Sequence, residues 1–229
     1  MGYHPGPGAL EIDGAGTKAT GLVHSDGNLS ITGSDMQLTA GVEYGANLTT
    51  ELLGTNSIDP APRQVEPGGS PITRQIEDFR PGSQIAQQAG SDYHSIDAFS
   101  CVGGVWTPAP GAVPSGIVYV PCDVNLSAVG SQINATIAAE GKITITGADI
   151  TVQPSIQDMP SLVIAATGAD AVVVLGANVK LGGTVFAPQG TVRAAGLGGT
   201  YRCGVVAARI AVVGANNSFL VDQDCRIER

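Results

Sequence analysis

Between Gly27 and Leu38 apolar and polar residues alternate, stop at a glycine, and alternate again. The run Gly27-Asn28-Leu29-Ser30-Ile31-Thr32-Gly33-Ser34-Asp35-Met36-Gln37-Leu38 reappears as Gly141-Lys142-Ile143-Thr144-Ile145-Thr146-Gly147-Ala148-Asp149-Ile150-Thr151-Val152. Alternate residues of a strand face opposite sides. Leu29, Ile31, Ile143 and Ile145 therefore point inward, and Ser30, Thr32, Thr144 and Thr146 outward. Met36, Leu38, Ile150 and Val152 resume the inward set. Degenerate copies end at Gly176, Gly196 and Gly214, after the runs Val172–Leu175, Val192–Ala195 and Ile210–Val213. Val124–Ser127, before Gly130, is a looser copy. A glycine between two strands predicts a sharp bend that uses positive φ.

A second family of strands precedes the motif copies: Gly21-Leu22-Val23, Ile117–Val120, Thr136–Ala138, Leu162–Ile164, Thr184–Phe186 and Val205–Ala207. Their later starts are roughly one upper-range solenoid period apart, ~20 residues. Coils of short strands stacked at about 4.8 Å predict an all-β fold, a right-handed parallel β-helix (solenoid) forming a single domain over 1–229. An antiparallel sandwich is the competing arrangement, but no Asn-Gly hairpin turn joins the runs. From about 45 to 115 the pattern breaks into a Pro-rich, partly helical excursion. There Ser70-Pro71 starts a helix that puts Ile72, Ile76 and Phe79 on one face. Ser83 caps a second helix over Gln84–Ala89, closed by Gly90. Val173, Leu175 and Val213 make an apolar outward row, which predicts that the first of these helices covers part of it.

Composition narrows the function. The core must be aliphatic, because the chain is 43% hydrophobic but only 4% aromatic. A formal charge of -9 argues against nucleic acid and against anionic membrane surfaces. The most apolar stretch, 161–187, is broken by Asp170, Lys180 and glycines, so no membrane span is expected. The opening Met1-Gly2-Tyr3-His4-Pro5 has neither the basic region nor the apolar run of a signal peptide. Four cysteines, Cys101, Cys122, Cys203 and Cys225, contain no C-x-x-C pair. Of the three possible pairings, Cys101–Cys122 and Cys203–Cys225 each span about one coil, and disulfides would mean an exported protein. Four buried thiols are the alternative.

Reactive clusters are sparse. The three histidines, His4, His24 and His94, show no metal-ligand spacing, and His24 reads as a coil-corner residue. Asp35 and Asp149 occupy equivalent turn positions, so turn chemistry accounts for them. The paired carboxylates of a glycosidase need set separations; Asp222/Asp224 are the only close acidic pair in the C-terminal part, and Glu77-Asp78 is an acidic step on the helix face. No catalytic residue, cofactor or metal is therefore expected. A ligand surface, if one exists, is expected in the excursion at Asp92, Tyr93, His94 and Trp106.

The rungs resemble a known family. Gly183-Thr184-Val185-Phe186-Ala187-Pro188-Gln189-Gly190-Thr191-Val192, Cys203–Gly214, Val23–Ser34 and Ala138–Gly147 are similar to rungs of envelope proteins related to tight-adherence (Flp-type) pilus assembly (TadE/TadG-like). The resemblance implies an extracytoplasmic solenoid behind an N-terminal membrane anchor, with cell-envelope or pilus components as partners. It carries over no catalytic residue. Cytoplasmic polymer-forming bactofilins also stack short β-coils but need no paired cysteines. The expected function is a non-enzymatic structural or adhesive domain at the bacterial cell surface. A carbohydrate-binding or carbohydrate-active β-helix and an ice-binding solenoid are the alternatives, and the threonine array that the last requires is not sustained.

Overall fold

A computed structural model describes residues 2–3, 9–66, 74–221 and 225. Its strands form a 17-stranded and an 8-stranded sheet, and the strand pairings are parallel. The larger sheet wraps two faces of a solenoid, A and B, and the smaller forms the third, C. One short α-helix, Gln84–Ala89, accompanies them.

The stacking order does not follow the chain. On face B, Val105–Trp106 is followed by Asp123–Leu126, Ile143–Ile145, Gly168–Val174, Val185–Ala194 and Val205–Val212. The next rung is Ala9–Asp13, from the opposite end of the sequence, and then come Asn28–Ser34 and Leu48–Leu53. Leu10 lies opposite Ile210 and Ile12 opposite Val212. Face C repeats the joint at Ala19 and Phe219. The N-terminal coils thus extend the C-terminal end of the stack, and the chain returns past face A to start the middle coils at the far end. Local alternation specifies each rung, but nothing in it specifies which rung comes next.

The inward assignment holds: Leu29, Ile31, Met36, Leu38, Ile143, Ile145, Ile150 and Val152 are all at most 1% exposed. Burying one such side chain contributes roughly 1.5–3 kcal/mol, which explains why an aliphatic column suffices without aromatics. The glycines do different work from that expected. Of the five tracked, only Gly33 has positive φ (126°). The column is needed because each glycine lies over the backbone of the preceding coil. A Cβ on Gly147 would be 2.7 Å from the Ser127 oxygen, and one on Gly33 2.6 Å from the Gly14 oxygen. Gly176, Gly196, Gly214 and Gly14 make the same close approach to Gly147, Gly176, Gly196 and Gly214. The left-handed residue comes two positions later, at Asp35, Asp149, Asn178 and Asn216 (φ 55–56°). Short polar side chains tolerate that conformation, so turn chemistry does account for Asp35 and Asp149.

The interruption is narrower at its start than composition suggests. Leu48–Leu53, Ser57–Ile58 and Arg63–Gln64 form one more coil on the N-terminal block. The prolines Pro60 and Pro62 stand between its strands, where no ladder bond is required. Ser70, Pro71 and Ile72 lie outside the described residues. Ile76–Phe79 is a single 3-10 turn, and the helix over Gln84–Ala89 is capped by the Ser83 hydroxyl, as its sequence predicts.

The cover falls on face A, not on the row expected. Ile76 and Phe79 pack on Ile117, Tyr119, Ala138, Val163, Phe186 and Val206. Leu175 and Val213 remain 51% and 40% exposed. Face A offers the longer apolar row, so it is the face that most needs covering.

Candidate functional site

Both local cysteine pairs are disulfides. Cys101–Cys122 has a Cα separation of 6.3 Å and Cys203–Cys225 one of 5.0 Å. The first ties the loop that closes the far end of the stack to the coil beneath it. Trp106, 8% exposed, belongs to that closure and packs into the aliphatic core with Ile96 and Val113.

The suggested ligand residues are therefore dispersed. Strand Tyr93–Ser95 pairs with Gly116–Val120, and its alternation sends Tyr93 and His94 to opposite sides. Tyr93 joins the face A cover, and its hydroxyl donates to the Phe79 carbonyl at 2.8 Å. Burial, with the neighbouring Tyr119, pushes that phenol up to about 12. Asp92 is exposed in a short 3-10 turn and His94 is half-buried. Trp106 faces the core. Tyr93 is thus a tether, Asp92 part of an exposed turn and Trp106 an end plug, while His94 is half-buried on the other side of its strand from Tyr93.

A latch fixes the cover. Arg80 donates to both oxygens of Glu140, at 2.6 and 3.0 Å, and the Tyr119 hydroxyl donates to Glu140 at 2.8 Å. The Arg80 guanidinium, outweighing burial and joined by the Tyr119 hydroxyl, holds the Glu140 carboxyl below the usual range. Tyr119 rises to about 12, chiefly through burial and then through Glu140.

The N-terminal coils replace the apolar row of face A with an ionic string. His24, Glu43 and Arg63 are register mates on successive rungs. His24 is the middle residue of strand Val23–Ser25, not a corner residue. Its Nδ1 lies 2.9 Å from Glu43 and its Nε2 3.0 Å from Asp26. Both ring nitrogens of His24 therefore lie within hydrogen-bond distance of a carboxylate. Arg63 Nε donates to Glu43 at 2.9 Å. Burial pushes Glu43 up, but Arg63 and His24 together outweigh it and the carboxyl sits below its ordinary value. Composition gives no hint of this string. Laying the sequence out at the coil period would have exposed it.

Face C is polar on its outer side. Gln132, Thr151, Lys180, Thr200, Ser218, Lys18, Gln37 and Ser57 stand in one column. Beside it Asn178 donates to Asp149 at 3.0 Å. Next to them Gly198 leaves a hollow of about 380 Å³ lined by Gln132, Asp149, Thr151, Asn178 and Lys180. On face B the outward column mixes Thr144, Val173, Arg193, Ala211, Glu11 and Ser30. A regular hydroxyl lattice is therefore interrupted there.

Among the described residues, no helix is long and apolar enough to cross a membrane, and no group of three or more His, Cys, Asp or Glu is placed to hold a metal ion. No protein-family model, no curated protein and no solved structure matches this chain.

Proposed function

We propose that this chain is a non-enzymatic, extracytoplasmic structural or adhesive domain of the bacterial cell surface or pilus. The two disulfides carry the reading. Each closes a loop of about one coil, and a cytosolic protein would be kept reduced. The resemblance of the rungs to tight-adherence pilus-related envelope proteins supports it, with envelope or pilus components as partners. Constraint by a loop of that size is worth about 3 kcal/mol per bridge, so the stapling matters most where reductant is absent. The test is made in cells that produce the protein. External protease and a membrane-impermeant thiol reagent after reduction should both reach it, and its deletion should lower surface attachment. Protein found reduced in the cytoplasm would overturn the reading.

The hollow on face C favours a second reading, carbohydrate binding. An amide, a carboxylate, a hydroxyl and an ammonium meet there, and such groups suit a polyhydroxylated ligand. Retention on a polysaccharide panel, lost in Lys180→Ala with Asn178→Ala, would select it. Unchanged retention in that variant would dismiss it.

A further inference from the structure

The two ends of the solenoid differ. The far end is plugged by Trp106 and locked by Cys101–Cys122. At the other end the coil 48–64 is the last rung, and no described residue packs over it. Leu48, Leu52 and Ile58 are only half-buried although they belong to the aliphatic core, Thr50 is exposed, and Leu53 is 74% exposed. A solenoid end over which no described residue packs, with a free strand edge, is a template for pairing.

The edge is self-complementary. In a parallel ladder the N–H and C=O of one residue point to the same side, and successive residues alternate. Leu29 donates to the Asn47 carbonyl at 2.8 Å. Asn47, Thr49 and Glu51 thus face the stack, and Leu48, Thr50 and Leu52 present free backbone groups. Leu48-Thr49-Thr50-Glu51-Leu52 is symmetric about Thr50 in just this respect. An antiparallel partner centred there sets Thr50 against Thr50, Leu48 against Leu52, and Thr49 against Glu51 of a second copy. Every pair keeps its inward or outward sense, and no glutamates oppose each other. The register centred on Glu51 would place two like charges together, which is destabilising.

The same two-fold fits half a coil away. Ser57 donates to Met36, Asp59 to Leu38 and Val65 to Tyr44, which leaves Ile58 and Gln64 with free edge groups. The two-fold that centres on Thr50 passes near Ala61. It sets Ile58 against Gln64 and Asp59 against Arg63 of the second copy. The free groups meet, and opposite charges meet. We infer that this end is the interface of a closed two-fold dimer of the chain, joined coil to coil. Because the other end is plugged, stacking stops at two and gives no filament.

Sedimentation equilibrium and light scattering on the full chain should give a dimer that dissociates on dilution. Thr50→Lys puts an inward charge at the centre of the joint. It should leave the far-UV circular dichroism unchanged, because Thr50 is exposed in the single chain, and raise the dissociation constant at least about tenfold (~1.4 kcal/mol). Thr50→Cys should cross-link two copies on oxidation, since directly opposed hydrogen-bonded residues have Cα atoms about 5.5 Å apart, within disulfide reach. Thr49→Cys should not, because it faces Glu51. A monomer at every concentration, a Thr50→Lys dimer as tight as the parent, open-ended polymers, or equal cross-linking of both cysteine variants would overturn the inference.

Discussion

Asn217 is the polar residue on which the middle of the stack depends. It follows the left-handed Asn216 and turns its amide into the interior, where it is 0% exposed. Gly199 N–H donates to its Oδ1 at 3.0 Å, and its Nδ2 donates to the carbonyls of Gly214 at 2.9 Å and Gly196 at 3.2 Å. It fits because its neighbour on the stack is a glycine: a Cβ on Gly199 would lie 2.6 Å from that Oδ1. Asn217→Ala removes all three bonds and leaves their backbone partners buried. A neutral hydrogen bond nets roughly 1 kcal/mol, so the loss should be about 3 kcal/mol. For a chain of this size that lowers Tm by about 6–12 °C. Thermal unfolding should be followed by far-UV circular dichroism and by Trp106 fluorescence, because the indole reports on the plugged end of the stack. Ser218→Ala, at a half-exposed position beside it, should stay within about 0.5 kcal/mol. If Asn217→Ala costs no more than Ser218→Ala, the amide is not satisfying those groups and the reasoning fails.

Gly176→Ala should destabilise by more than the few tenths typical of surface changes, since its Cβ meets the backbone of Gly147 rather than a movable side chain; a urea midpoint equal to that of the parent would contradict this. Phe79→Ala should cost about 3–5 kcal/mol, because the ring is 0% exposed, and should increase binding of a hydrophobic dye as face A is uncovered; unchanged stability and dye binding would count against the cover. The depressed Glu140 carboxyl makes the latch a contribution that is full above the ordinary carboxylate value and is lost as pH falls through its lower folded value. Urea midpoints measured against pH should therefore drop on the acid side, and Arg80→Ala should flatten that limb. Tyr93 and Tyr119, both raised to about 12, should add an alkaline limb between about 10 and 12, visible in the same series.

Rungs, inward columns and disulfide partners were legible because each is a local pattern. Leu29 and Ile31 alternate within one strand, and Cys203 and Cys225 lie one coil apart. The order of the rungs was not legible. Val205–Val212 looks equally able to accept any aliphatic strand, and its choice of Ala9–Asp13 depends on shape over the whole end of the stack. The cover illustrates the same limit. Ile76 and Phe79 announce a buried face, but Val173 and Leu175 were as plausible a partner as Tyr119 and Phe186, and only the path of the chain decides between them. The ionic string was hidden for a different reason. His24, Glu43 and Arg63 become neighbours only after the coil period is applied to each, and their types alone suggest isolated surface residues.

Joining the two ends of the chain in one continuous stack is the claim on which the rest depends. Cysteines introduced as Glu11→Cys and Ala211→Cys test it most directly. The two positions are register mates across the joint, and neighbouring parallel strands run about 4.8 Å apart, inside the range a disulfide spans. Peptide mapping of the oxidised monomer should recover the bond between them within a single chain, alongside Cys101–Cys122 and Cys203–Cys225. Both thiols remaining free, or bonding only between separate chains, would contradict the arrangement.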